Sequence, residues 1–156
     1  MPIVVDTSVA IKWVVTEEYT DNAQALLDDY QRRNDPIYVP SLFLYEAANV
    51  LYSFVRTGIL SMDGCKQAIS DLARLVHPLL PDPRMMIRAL VIADVLQTEN
   101  TYDAQFLALA ERTRSAFWTA DGRFCRAVRK RVTDLTTSIE MIETFPYDNP
   151  APFDSN

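Results

Sequence analysis

Glycine is scarce in this chain, with three residues in 156. A phosphate-gripping loop and a dinucleotide fingerprint both need closely spaced glycines, because the backbone must approach the phosphates. Neither pattern is present, which removes most nucleotide-binding readings of an α/β chain. Histidine occurs once, at His77, ahead of Pro78. One imidazole excludes most zinc sites and any catalytic triad that needs a second. Its setting marks His77 as a loop or strand-edge residue. The two cysteines, Cys65 and Cys125, stand far apart in helix-like sequence. They make no metal-spaced cluster and are expected as buried thiols rather than a disulfide.

Long apolar runs are also missing. Apolar residues make up 49% of the chain, yet no stretch approaches the ~20 residues that cross a bilayer. The opening Met1-Pro2-Ile3-Val4-Val5 runs straight into Asp6, without the basic flank and apolar core of a signal peptide. The expectation is a soluble, cytoplasmic protein with no membrane association. Positive charge is in deficit, with 15 basic against 21 acidic residues and a pI near 4.7. That argues against a general nucleic-acid coating protein but not against acids concentrated at one site.

What is present is an alternation of short apolar runs with helical periodicity. Ile3–Asp6 reads as a buried parallel strand. Helices are expected over Ser8–Val15, Tyr19–Arg33, Ser41–Thr57 closed by Gly58, and from Ser61, as N-cap, to Val76. Three further helices are expected over Pro83–Gln97, Tyr102–Arg114 and Asp121–Lys130. Strands are expected at Ile37–Val39, Leu79–Leu80, Ala116–Thr119 and, as the last edge, Val132–Leu135. This order predicts a three-layer α/β/α sandwich around a short parallel sheet, one domain over residues 1–144, and a loose tail over 145–156.

Four carboxylates fall where simple solvation does not explain them. Asp6 ends the first apolar strand, and Asp121 lies just past Phe117-Trp118-Thr119. The carboxyl ends of parallel strands are where ligands bind in open sheets. Glu46 and Asp103 sit on or beside apolar helical stripes, Glu46 one turn from Leu42 and Val50, Asp103 one turn from Phe106 and Leu107. An inward ionised carboxylate is costly unless something positive meets it, and a divalent cation serves several at once. Each acid also has a plainer reading: Asp6, Asp103 and Asp121 stand near helix starts, where Asp caps exposed N–H groups, and Glu46 suits the solvated edge of its stripe.

The local words around these acids resemble the PIN domain, over nearly the whole chain to about Leu135. Val4-Val5-Asp6-Thr7-Ser8 is similar to its first motif, with Lys12-Trp13 resembling a VapC-like subgroup, and Tyr45-Glu46-Ala47-Ala48-Asn49-Val50-Leu51 is similar to the second. Tyr102-Asp103-Ala104-Gln105-Phe106-Leu107-Ala108-Leu109-Ala110-Glu111 resembles the third, and Thr119-Ala120-Asp121 the fourth. The resemblance implies a PIN fold, Mg²⁺ or Mn²⁺ at the acids, and endonucleolytic cleavage of RNA. The VapC-like subset further implies a toxin paired with an antitoxin protein, and a homodimer. Gly122 and Arg123 stand where the family often has another acidic or polar group, which puts a second metal position in question.

On this reading Asp6 and Asp103 are the principal metal ligands, and Glu46 and Asp121 complete the site directly or through water; oxygen ligands of this kind suit a hard cation. Thr7, Ser8, Asn49 and Thr119 are candidates for orienting the acids, against ordinary strand-end and helix hydrogen bonding. Five basic residues fall between Arg123 and Arg131. Of these Arg123, Arg126 and Lys130 share a helical face and are candidates for RNA phosphates, against a solvated face that complements the helix C-terminus.

Three rivals remain at this level. A haloacid-dehalogenase-like phosphatase would need a second Asp two residues after Asp6, where Ser8 stands. A nuclease of RNA maturation or DNA flaps keeps the chemistry and changes the role. A non-catalytic, metal-stabilised binding module keeps only the fold.

Overall fold

Ile3, Val4 and Val5 are wholly buried, and β-branched residues covered on both faces favour a central parallel strand. In the computed structural model, which describes residues 1–147, they form β1 (Ile3–Val5) at the middle of a five-stranded parallel sheet. Around it lie β2 (Ile37–Pro40), β3 (His77–Leu79), β4 (Ala116–Thr119) and β5 (Ile139–Met141), in the order β3-β2-β1-β4-β5. Register is set by Ile3 opposite Ile37 on one side and Ala116 on the other. The chain leaves β1 toward β2 and β3, then returns to the opposite side of β1 for β4 and β5. The carboxyl ends of β1 and β4 therefore border a crevice at the topological switch point.

Helices flank this sheet as an α/β/α sandwich. They are α1 (Thr7–Ala10), which runs into a 3-10 turn over Ile11–Trp13, α2 (Thr20–Arg33), α3 (Phe43–Arg56), α4 (Met62–Leu75), α5 (Pro83–Leu96), α6 (Tyr102–Thr113) and α7 (Gly122–Arg131). The core runs through β1, Phe43, Leu51, Phe106, Leu107 and Phe117, all fully buried. Local chemistry sets the helix ends. Ser61 accepts from the Gly64 amide and caps α4, and Pro83 opens α5 where a missing N–H costs nothing. Gly58 follows α3 with φ +77°, in the left-handed region where a side chain is strained.

One expected strand is replaced. Val132–Leu135 does not pair; the last edge is Ile139–Met141. Val132 buries its side chain as the end of α7, while Asp134 is drawn to Arg88 and the Thr136 amide to Glu111. Those commitments turn the segment away from the sheet. The β3 strand begins at His77, one residue pair earlier than expected, because Pro78 and Leu79 align with Val39 and Pro40 while Leu80 points outward. His77 lies on an edge strand, edge-on to Tyr38. Both cysteines are free, Cys125 buried and Cys65 partly so.

Of the expected tail, residues 148–156 lie outside the described residues. Phe145 packs edge-on against Trp118, and its carbonyl accepts from the buried Asn22 at 2.7 Å. Among the described residues, no helix is long and apolar enough to cross a membrane.

Candidate functional site

Asp6 follows directly on β1, where the chain must turn from extended backbone into α1. Its carboxylate caps that helix through the Val9 amide at 3.1 Å. The same oxygen accepts from the Ser8 hydroxyl at 2.5 Å, and the other accepts from Thr119 at 2.5 Å. Ser8 in turn accepts from the Ala120 amide, and Thr119 from the Asp121 amide, each at 2.9 Å. Two hydroxyls thus stitch the end of β1 to the end of β4. Asp6 is 7% exposed, and among the described residues no cation lies within ion-pair distance of it. Burial pushes its pKa up to about 6, a rise only partly countered by the bonds from Ser8, Thr119 and Val9.

The other three acids converge on the same crevice. Glu46, in the first turn of α3, accepts from Thr7 at 2.8 Å. Its pKa is pushed up to about 7, first by burial and then by the charges of Asp103 and Asp6. Asp103 enters from the first turn of α6; its pKa is raised, by desolvation first and by Asp121 second. Asp121 caps α7, with one oxygen accepting from the Arg123 and Phe124 amides at 2.8 and 3.0 Å. Together they line a cleft of about 820 Å³.

The cleft holds further residues that the motif words did not single out as site residues. Lys12 is 9% exposed and pairs with Glu17 at 3.2 Å, both on the cleft wall. Its burial is legible only in three dimensions, since a lone lysine after Ile11 has no periodic signature. Ile11, Val50, Tyr102 and Phe106 supply an apolar portion. Arg123 and Arg126 also line the cleft, with an Arg126 guanidinium nitrogen 3.0 Å from where a Cβ on Gly122 would sit. Lys130 lies outside the cleft, farther along α7. Asn49 reaches the cleft wall without bonding Glu46.

The expectation of a metal centre is corrected here. Among the described residues, no group of three or more His, Cys, Asp or Glu side chains is gathered so that it could hold a metal ion. Each bonded acid is held by its own part of the fold, Asp6 and Asp121 as caps of α1 and α7 and Glu46 against Thr7. Both Asp6 oxygens accept from hydroxyls, one Glu46 oxygen faces Thr7, and one Asp121 oxygen faces helix amides. The acids share a cleft without sharing a coordination point. The expected Mg²⁺ or Mn²⁺ cofactor and the metal-dependent ribonuclease activity therefore lack the geometry they require. The same finding removes the metal-stabilised form of the binding module and the metal-dependent RNA-processing nuclease.

Comparison with known proteins places this geometry in context. A family model described as PIN domain matches residues 3–130. No curated protein matches by sequence. Among solved structures, PAE2754 from Pyrobaculum aerophilum is similar over 92% of this chain and 85% of its own, with 19% identity and a TM-score of 0.67. VapBC2 from Rickettsia felis, bound to a DNA fragment from its promoter, is similar over 90% and 98%, with 11% identity and a TM-score of 0.66. VapBC-1 from nontypeable Haemophilus influenzae is similar over 92% and 99%, with 13% identity and a TM-score of 0.62.

Proposed function

The chain belongs to the PIN-domain family, and from that premise we propose that it is the PIN-domain member of a toxin–antitoxin-type protein pair, acting in the cytoplasm. In this reading a partner protein occupies the acidic cleft and competes there with RNA. Two copies of the chain per assembly belong to the same reading. The fold likeness to VapBC2 and VapBC-1 supports the choice of a paired protein over an isolated one.

The observation that carries the proposal is a juxtaposition. The 3-10 turn Ile11–Trp13 separates two concavities: Ile11 and Lys12 line the acidic cleft, and Trp13 lines a second groove of about 600 Å³ between α2 and α4. That groove has an apolar floor from Trp13, Val14, Leu27, Leu60 and Leu75. A partner segment crossing the turn would bury an apolar helix face in the groove and deliver a cationic side chain to the cleft. Such apolar-anchor recognition is a common peptide mode. A guanidinium suits the cleft chemically, since it spans two carboxylates with fixed donors and favours their ionised form.

RNA would approach from the other wall. Arg123 and Arg126 line the cleft, and Lys130 continues their side of α7. Arg129 and Arg131 are committed elsewhere, donating to the Ile139 and Leu96 carbonyls. Three cations suit phosphate contacts without implying base readout. Thr7, Ser8 and Thr119 then act as positioning residues that hold Asp6 and Glu46 toward the guest, and Asn49 as a polar contact on the wall.

The test is co-expression with the product of the adjacent reading frame, followed by fluorescence anisotropy of labelled single-stranded RNA. The expected result is a stable complex, RNA binding by the free chain that weakens with salt, and loss of that binding in the complex. Arg123→Ala and Arg126→Ala should each lower the salt slope by about 1. RNA binding that is absent at low salt, or equal in the free and complexed chain, would overturn the competition.

A further inference from the structure

Lys12 is the only buried basic residue among those described, 9% exposed in the 3-10 turn on the cleft wall. An ammonium taken out of water is costly unless acceptors meet it. Its donors outnumber its acceptors here. Among the described residues its one hydrogen-bond partner is the Glu17 carboxylate at 3.2 Å. The remaining donors serve whatever enters the cleft, which Lys12 and Glu17 both line.

The turn does not depend on this pair to stay in place. Trp13, the next residue, donates its indole N–H to the Ala23 carbonyl at 2.9 Å and fastens the turn to α2. Glu17 is held separately, its amide donating to the Thr20 hydroxyl at 2.8 Å and its carbonyl accepting from the Thr20 amide at 3.3 Å. Both partners are thus anchored by other bonds, while the lysine stem keeps its rotatable links. The Glu17 side chain is 34% exposed, so water and salt reach the pair and the grip on Lys12 is modest.

From this arrangement we propose that Lys12 binds a phosphate of the RNA backbone, and that Glu17 holds it in reserve as an internal carboxylate which the phosphate displaces. Asp6, Glu17, Glu46, Asp103 and Asp121 line the cleft together with Lys12, Arg123 and Arg126. A single carboxylate from a partner protein would gain one cation there and meet all of those like charges. A polyanion with repeating phosphates reaches several cations at once, and that selects it as the occupant. Lysine serves phosphate as a point charge, where its arginine neighbours offer forked donors.

The inference rests on the RNA-binding part of the proposed function and is independent of the partner protein. Fluorescence anisotropy of a labelled single-stranded RNA with a 5′-hydroxyl end, titrated at several salt concentrations, tests it. Lys12→Met keeps most of the stem and should weaken binding about tenfold. It should also lower the salt slope by about 1, and Lys12→Arg should restore that slope. Glu17→Gln should tighten binding about threefold, the modest worth of a partly exposed pair. That gain should vanish when Glu17→Gln is combined with Lys12→Met. Near-UV circular dichroism checks that each variant is folded. A wild-type chain that binds no RNA overturns the RNA reading itself. Wild-type binding whose salt slope survives Lys12→Met overturns the Lys12 contact alone. A Glu17→Gln gain that persists without Lys12 overturns the reserve role, since it then reflects only lost negative charge. Dependence on Lys12 confined to a 5′-phosphorylated form of the same RNA overturns the backbone assignment.

Discussion

Two nearly buried carboxylates in this molecule are treated in opposite ways. Glu111, on the inner side of α6, receives two guanidinium bonds from Arg88 at 2.6 and 3.1 Å and two more from the Thr136 amide and hydroxyl. Asp6 is as deeply buried but, among the described residues, receives only two hydroxyls and one amide and no cation. The first is a strut that ties α5, α6 and the loop before β5 together. The second is a charge left unneutralised beside other acids, at an energetic cost. A fold that keeps such a cost at the switch point of its sheet retains it for something other than stability.

The largest expected effect breaks the strut. Arg88→Ala leaves Glu111 buried without its cation and should cost about 3 kcal/mol, which for a domain of this size lowers Tm by roughly 10 °C. Differential scanning calorimetry would measure it; a drop of only a degree or two would mean that Glu111 is as indifferent to its partner as a surface acid.

The contrasting change should stabilise. The pKa of Asp6 is raised from 3.8 to about 6 in the folded chain, so the folded state holds this proton more tightly than the unfolded state does. The resulting stability is complete below about pH 4 and is lost as pH climbs through about 6. Across that window the loss is up to about 3 kcal/mol. Asp6→Asn removes the ionisation and should therefore raise Tm at pH 7.5 while leaving it nearly unchanged at pH 4. Equal effects at both pH values would show that charge is not the source of the cost.

A smaller loss is expected at the stitch. Thr119 is fully buried, and Thr119→Val deletes the hydroxyl that serves both Asp6 and the Asp121 amide. Chemical denaturation should register about 2 kcal/mol. Ser8→Ala removes the companion bridge at a more open position and should cost about 1 kcal/mol. If the two losses proved equal, burial would not be what ranks these bridges.

Much of the architecture was legible beforehand because it rests on local rules. Alternating apolar runs announced the parallel sheet, Ser61 and Gly58 announced the ends of α4 and α3, and the β4 boundaries matched at both ends. The last strand was misplaced because Val132–Leu135 carries the right apolar spacing. What diverts it, an ion pair from Asp134 to Arg88 across 46 residues, has no local trace. At the site, the convergence of four acids on one cleft followed from their places at strand ends and on helix stripes. Their failure to form a metal cluster among the described residues did not, because it depends on how far apart the packed elements hold the four carboxylates. Lys12 was not singled out as a site residue for a similar reason: its burial in the 3-10 turn, where it pairs with Glu17, exists only in the folded chain.

The sequence by itself determined the layered parallel fold, the family and the four acids at its carboxyl edge, since periodicity, capping residues and motif words act within a few residues of one another. Only the tertiary structure decided how those acids are held and how far each is buried. Carboxylate orientation and surface exposure are set by contacts between segments up to 113 residues apart, and such contacts exist only once the sheet has brought the ends of β1 and β4 side by side.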